Sequence, residues 1–405
     1  MPFVFGVDLL TQRLLTPLFI VVIGLVSSAT SAQSKPASGF ATLAAKADSA
    51  RDGERLDEAV SLYRRALALR PSWAEGWWSL ATIQYDRNVY ADAARAFLKV
   101  TALTPKNGTA YAMLGLCEFE LGHELLALQH LQKGMDIGLQ KDESLWNVAL
   151  YHEGVLLQRK GSFQAAQDVL EQLCLRGVKS DEAANALGMT LLRLTSKTPP
   201  AAGTTDADIV LRIGRADCLA GQKKYDDARA AFETVVRENP EYPNIHYAYG
   251  LFLLGVYDVT GGVGQLKEEI ANNPGHVLAR LRLAASLYKQ DSAAAIPYAE
   301  EAVKLSPRLG FAHYLLGLLL LDTNNYERAL PELEIAQKSF PKEAKLYFAL
   351  GSAYSRSGRK QEAAHARAMF EKLTKEGTGS NAAGEMGLRG TTEEGSDKKG
   401  TAPPQ

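Results

Sequence analysis

Alanine recurs along this chain at a fixed interval. Ala59, Ala93 and Ala127 are 34 residues apart, as are Ala329 and Ala363, and twelve residues ahead of each stands another small residue: Ala47, Ala81, Gly115, Gly317 and Gly351. A chain that repeats on this interval is confined to a stack of similar units, each too small to bury its own apolar face and dependent on its neighbours for a core. Small residues at two fixed points let two helices cross closely. An aromatic or leucine follows in each unit (Tyr63, Phe97, Leu131, Leu170, Phe232, Leu266, Leu333), then often alanine (Ala66, Ala302, Ala336). Proline closes the units at Pro71, Pro105, Pro240, Pro274, Pro307 and Pro341. Because proline cannot continue a helix and biases the residue before it to extended geometry, it marks the end of a second helix. Turn-formers at Gly122-His123, Gly161-Ser162-Phe163, Asn324-Asn325-Tyr326 and Ser357-Gly358-Arg359 fit the short connection between the two helices.

The pattern resembles the tetratricopeptide repeat, in a protein of the bacterial exported type. The hallmark W-x-x-L-G-x-x-Y…A-x-x-x-F…P is matched by Trp77, Leu80, Ala81, Ala93, Phe97 and Pro105, and near the end by Tyr347, Leu350, Gly351, Tyr354 and Ala363. Units fall at 40–73, 74–107, 108–141, 147–180, 209–242, 243–276, 277–309, 310–343 and 344–377, with a half unit at 181–194. The resemblance implies an all-α, right-handed superhelical solenoid of antiparallel helix pairs, with the first helix of each pair lining the concave side.

The departures divide the chain. Leu139 and Val178 stand where proline is expected, and Lys141 to Ser144 lengthen the third connection. In the unit at 243–276, Gly261, Gly262, Val263 and Gly264 replace the turn, so its first helix is expected to end early and the glycines to distort a loop. After Leu194 no second helix is legible; the run from Thr195 through Pro199-Pro200 to Thr205 consists of turn-formers. The expected order is a signal peptide at 1–32, a short linker at 33–39, repeat block 1 at 40–194, a Pro/Gly/Thr linker at 195–208, repeat block 2 at 209–377, and a disordered tail at 378–405. Limited proteolysis at 195–208 would then release two folded halves. Arg367 in place of the usual aromatic or leucine suits a terminal repeat that no further unit covers.

The signal segment is read from Arg13, the apolar run Leu14 to Val26, and the small residues Ser27 to Ala32. The run is shorter than the ~20 apolar residues that span a bilayer, so cleavage after Ala32 is expected, with retention as a membrane anchor the alternative. The expected location is the periplasm or cell envelope. Lys and Arg number 45 against 46 Asp and Glu, without a basic block to follow a phosphate backbone, so nucleic acid is not an expected partner. Three cysteines without a C-x-x-C pair give no readable disulfide framework or zinc site; Cys117, Cys174 and Cys218 are read as small core residues.

On the first helices, the positions that share the inner face carry Trp78, Tyr85, Phe119, Tyr151, Tyr247, Leu251, Tyr288, Phe311, Tyr314, Leu318 and Phe348. An aromatic groove suits partner proteins or peptides. Its alternatives are recognition of a glycan or small peptide by ring stacking, and burial of the same rings between neighbouring repeats. The Lys and Asn clamp by which some members of the family hold a C-terminal carboxylate is missing. His123-Glu124 and His152-Glu153 do not extend to H-E-x-x-H, because Ala127 and Leu156 stand where the second histidine would be. Gly261 to Gly264 lack the Lys-Ser or Lys-Thr of a phosphate loop. No catalytic residue, cofactor or metal is expected, and the leading reading is a non-enzymatic interaction scaffold.

Overall fold

The computed structural model describes residues 35–139, 143–288 and 290–377. The expected signal peptide at 1–32 and tail at 378–405 lie outside them. Nineteen helices and no strand occur among the described residues. The described residues are all-helical, as the periodicity requires.

Eight hairpins follow the expected units, one of them α10 (Thr205–Gly221) with α11 (Tyr225–Glu238). The others are α1 (Lys35–Asp52) with α2 (Leu56–Leu69), α3 (Ala74–Asp86) with α4 (Tyr90–Leu103), α5 (Gly108–Glu120) with α6 (Glu124–Ile137), α12 (Ile245–Gly255) with α13 (Val259–Asn272), α14 (Val277–Leu287) with α15 (Ser292–Leu305), α16 (Gly310–Asp322) with α17 (Tyr326–Ser339), and α18 (Ala344–Arg356) with α19 (Lys360–Glu376). The remaining helices are α7 (Glu143–Arg159), α8 (Phe163–Leu175) and α9 (Asp181–Leu191). Each closing proline stands two residues beyond a helix end, as Pro71 does after Leu69 and Pro341 after Ser339. Left-handed residues also keep the period: Glu54, Asn88 and Gly122, then Lys223 and Tyr257, then Asn324 and Gly358. The turn therefore imposes φ above zero even on side chains that resist it.

The small positions are filled as close packing demands. Ala47, Ala59, Ala81, Ala93, Ala127 and Ala329 are wholly buried. A Cβ on Gly115 would stand 2.8 Å from Leu131 Cγ and 2.9 Å from the Leu131 backbone nitrogen, and one on Gly317 would meet Leu333 at 2.5 Å. At Gly351 the facing residue is Arg367, and a Cβ would approach nothing closer than 3.5 Å.

Three expectations need correction. The linker at 33–39 is largely taken up by α1, which begins at Lys35. Gly261, Gly262 and Gly264 are not a loop: they lie inside α13, whose first turn is held by the Asp258 carboxylate accepting the Gly261 N–H at 2.9 Å, and the turn is made instead around Tyr257 (φ 64°). The break expected at 195–208 is not where the compact units divide. One unit comprises residues up to Lys160 together with Arg176–Val178, and the other comprises Gly161–Leu175 and everything from Lys179 on, so the division falls inside the expected repeat at 147–180.

Within the second unit α9 and α10 pack directly, backbone to backbone. A Cβ on Gly188 would sit 1.9 Å from the Val210 carbonyl oxygen, and one on Gly214 1.7 Å from that of Ala184. Residues 205–208 are helical, with the Thr204 hydroxyl accepting the Ala207 N–H at 3.2 Å. The proline-rich segment is thus a loop joining two packed helices.

The contrast between glycines gives a direct test. Gly115→Ala forces Leu131 backbone to move and should lower stability by about 2 kcal/mol. Gly351→Ala finds room and should gain up to ~1 kcal/mol from helix propensity. Urea unfolding midpoints of the two variants should move in opposite directions.

Candidate partner-binding faces

The nine aromatic residues expected to form one face occupy three kinds of environment. In the first unit, Trp78 and Tyr85 on α3, Phe119 on α5 and Tyr151 on α7 are all half-buried. Each is fixed by a neighbour. Trp78 meets the buried Phe97 edge-on at 5.4 Å, and Tyr85 meets Tyr90 at 5.5 Å. Phe119 and Tyr151 both contact His152, at 4.6 and 5.2 Å, and the Arg159 guanidinium lies 5.1 Å from the centre of the Phe119 ring. Arg159 is itself held by Glu124 at 3.3 Å. These rings are rigid, keep part of their surface in solvent, and have a cation or a hydroxyl at their margins, which suits them to clamp apolar or aromatic groups of a partner. Burial, with Cys117, Tyr90, Glu120 and Asp86 around it, raises the Tyr85 phenol pKa, so Tyr85 remains a neutral donor.

In the second unit Tyr247, Phe311 and Tyr314 are buried, at 2, 3 and 7 % exposure. They pack in the core. The reason lies in α12 and α16, which are apolar on nearly all sides, so a stripe drawn by helical periodicity does not separate an inner face from a core there. Tyr288 is half-buried, and Phe348 is 62 % exposed with Phe370 5.6 Å away.

Two features of the second unit escaped sequence reasoning. One is a disulfide. Cys174 on α8 and Cys218 on α10 are bonded, their Cα atoms 5.3 Å apart, while Cys117 is free and buried. Reading all three cysteines as core thiols was wrong for two of them, since pairing depends on the helix crossing and their separation of 44 residues reveals nothing by itself. Beside this bond, Asp217 is 4 % exposed and lies against Glu171, with Gln167 donating to both carboxylates. Burial and the Glu171 charge push the Asp217 carboxyl well above its usual range, so the two titrate as a pair.

The other feature is a buried polar network. His276 is the N-cap of α14: its Nδ1 accepts the Ala279 N–H at 3.0 Å, which leaves the proton on Nε2 to donate to Asn244 Oδ1 at 2.8 Å. Asn244, in left-handed geometry at φ 65°, donates its side-chain amide to the Leu192 carbonyl at 3.0 Å. Glu269 accepts the backbone N–H groups of Asn244 and Tyr247, each at 3.2 Å. Four segments are thereby tied by side chains that a hydropathy pattern treats as surface. Among the described residues, no three His, Cys, Asp or Glu side chains cluster as metal ligands, and no helix is long and apolar enough to cross a membrane.

A model of the tetratricopeptide repeat matches residues 44–107, 79–136, 213–255 and 314–372. Those segments carry tetratricopeptide repeats. Solved structures similar to it include a MamA RS-1 double mutant, at 22 % identity over 42 % of this chain and 96 % of that one with a TM-score of 0.39. MamA from residue 41 to the end, from Desulfovibrio magneticus RS-1, is 23 % identical over 41 % and 94 % of the two chains, with a TM-score of 0.38. Superkiller protein 3 of Schizosaccharomyces pombe is 24 % identical over 142 residues, which is 33 % of this chain, so the match spans 10 % of that protein's length. No partner or site is carried over from these proteins. Repeats of this kind generally bind other proteins.

The disulfide changes what a cut between the two expected blocks would do. Protease cleavage within 192–204 should yield two fragments that stay joined on a non-reducing gel and separate on reduction, because Cys174 and Cys218 lie on either side. Separation without reductant would count against the bond.

His276 supplies a pH-dependent test. Burial, then the charges of Arg193 and Arg280, lower its pKa from 6.5 to about 4. Between those values the unfolded chain binds the proton that the folded one refuses, so this contribution to stability is complete above pH 6.5 and is lost as pH falls toward 4. At pH 5 the loss is about 2 kcal/mol. His276→Asn should lack this acid-side decline, and the comparison of the two chains removes the opposite contribution of the Glu171–Asp217 pair. Chemical denaturation at pH 7 and pH 5 measures it.

Proposed function

We propose that the protein is a non-enzymatic scaffold, exported to the cell envelope, that holds partner proteins or peptides on the aromatic faces of its first helices. The observation that carries this reading is the set Trp78, Tyr85, Phe119 and Tyr151: four rings on the first helices of successive repeats, each braced by a neighbour and each partly open to solvent. Rigid, amphipathic rings lose little entropy on binding and are common anchors of interfaces. The Phe348 ring, exposed on α18, is a further anchor in the second unit. Tyr247, Phe311 and Tyr314 drop out of the binding set because they are buried.

Export is supported by the apolar run from Leu14 to Val26 followed by small residues, and by the Cys174–Cys218 bond, since disulfides persist in oxidising compartments and are rare in the cytosol. Cleavage after Ala32 would leave the repeats free in that compartment.

A photo-crosslinking residue placed at Tyr151 in the native cell tests the reading. A discrete protein adduct, reduced about tenfold by Trp78→Ala or Phe119→Ala in a chain that still folds, is the expected outcome. Saturable binding of cell-wall glycan fragments, with no protein adduct, would replace the scaffold by a glycan-recognition module. Absence of both would overturn the assignment of these rings to binding.

A further inference from the structure

The second unit holds two guanidinium groups, one buried and one half-buried, that no carboxylate among the described residues answers. Arg282, in the middle of α14, is 5 % exposed, and its Nε has no hydrogen-bond partner. The polar group beside it is the hydroxyl of Tyr247, whose own ring is 2 % exposed. Arg193, in left-handed geometry just beyond α9 at φ 57°, is half-buried, with its Cζ 4.4 Å from the centre of the Phe163 ring and 5.9 Å from that of Tyr247. Burial lowers both guanidinium pKa values, and Arg193 disfavours the charge on Arg282 further.

The surrounding residues do not relieve this. Arg280, two residues before Arg282, is matched by Glu301 at 2.7 Å. Glu269 directs its carboxylate to the N–H groups of Asn244 and Tyr247, and His276 is kept neutral partly by Arg193 itself. Two like charges are therefore held near one aromatic ring, one of them buried, an arrangement that is unfavourable unless a negative group joins it. The missing component is an acceptor that can take N–H groups from two planar forks at once.

We propose that Arg193, Arg282 and Tyr247 form a site for a single oxyanion, the phosphate or carboxylate group of a small ligand. Guanidinium groups match both geometries through paired N–H donors, and the Tyr247 hydroxyl adds a third donor. The free Nε of Arg282 supplies the donor that is unused without the ligand. Arg193 keeps part of its side chain in solvent, and Phe163 supports its flat face. This site uses none of the exposed aromatic rings and does not depend on the scaffold reading.

The test uses the full chain labelled with nitrogen-15 and follows the Nε–Hε signal of Arg282. Inorganic phosphate and, in a second arm, acetate are titrated in against sodium chloride of equal ionic strength. The expected result is a saturable shift with at least one of the two, and a midpoint weakened at least about tenfold in Arg193→Gln, whose partly exposed side chain can be replaced without opening the core. Response to phosphate alone assigns the site to phosphate esters; response to both extends it to carboxylates. Tyr247→Phe, which keeps the ring, should weaken binding and leave the circular dichroism spectrum unchanged. No saturable shift with either anion, or an unchanged midpoint in a folded Arg193→Gln chain, overturns the proposal.

Discussion

Everything in this molecule depends on how closely two helices of one hairpin can approach. Gly115 against Leu131 and Gly317 against Leu333 leave no space for a methyl group, and the alanines that occupy the equivalent positions elsewhere are buried completely. Once the backbones are that close, the large residue opposite is fixed in depth and the turn between the helices is forced into a left-handed residue. The same spacing recurs because each hairpin offers its neighbour the surface it received from the one before. Residues with no packing role at that register are then free to differ, and it is among these that binding rings and charges vary from repeat to repeat.

The second unit adds to this repeated packing a set of polar ties that do not repeat. Glu269, Asn244 and His276 join the ends of several helices through donors and acceptors that are nearly all matched. Arg193 and Arg282 stand next to that network without an acidic match. A satisfied network rigidifies its surroundings, and the contrast in low dielectric makes an unmatched charge beside it costly. The two arginines therefore stand out as polar groups whose placement the fold alone does not explain.

Much of the fold was legible because its signals are periodic. Ala59, Ala93 and Ala127 and the closing prolines locate most of the hairpins with little ambiguity. What periodicity could not give was the packing of α9 on α10, since the evidence for it is a pair of glycines, Gly188 and Gly214, that meet only in three dimensions. The turn-rich sequence between them looked like a boundary because loops and boundaries share composition. The candidate face was read less well. Helical position alone placed Trp78 and Phe311 in one class, whereas the apolar surroundings of α16 bury one and the amphipathic surroundings of α3 leave the other partly open. Pairing of Cys174 with Cys218, and the burial of Arg282, depend on contacts between distant segments and have no local signature.

The disulfide also has a consequence for the loop that it encloses. With α8 fastened to α10 and α9 packed on α10, the ends of the loop from 195 to 203 are held in place by the helices on either side. Its length is then nearly decoupled from the stability of the unit, because a longer loop between fixed ends adds closure entropy only logarithmically, about 0.6 kcal/mol for each doubling. Such a place is where a repeat array can accept new sequence: a recognition peptide or a small folded domain could be accommodated there while the helices on either side keep their register.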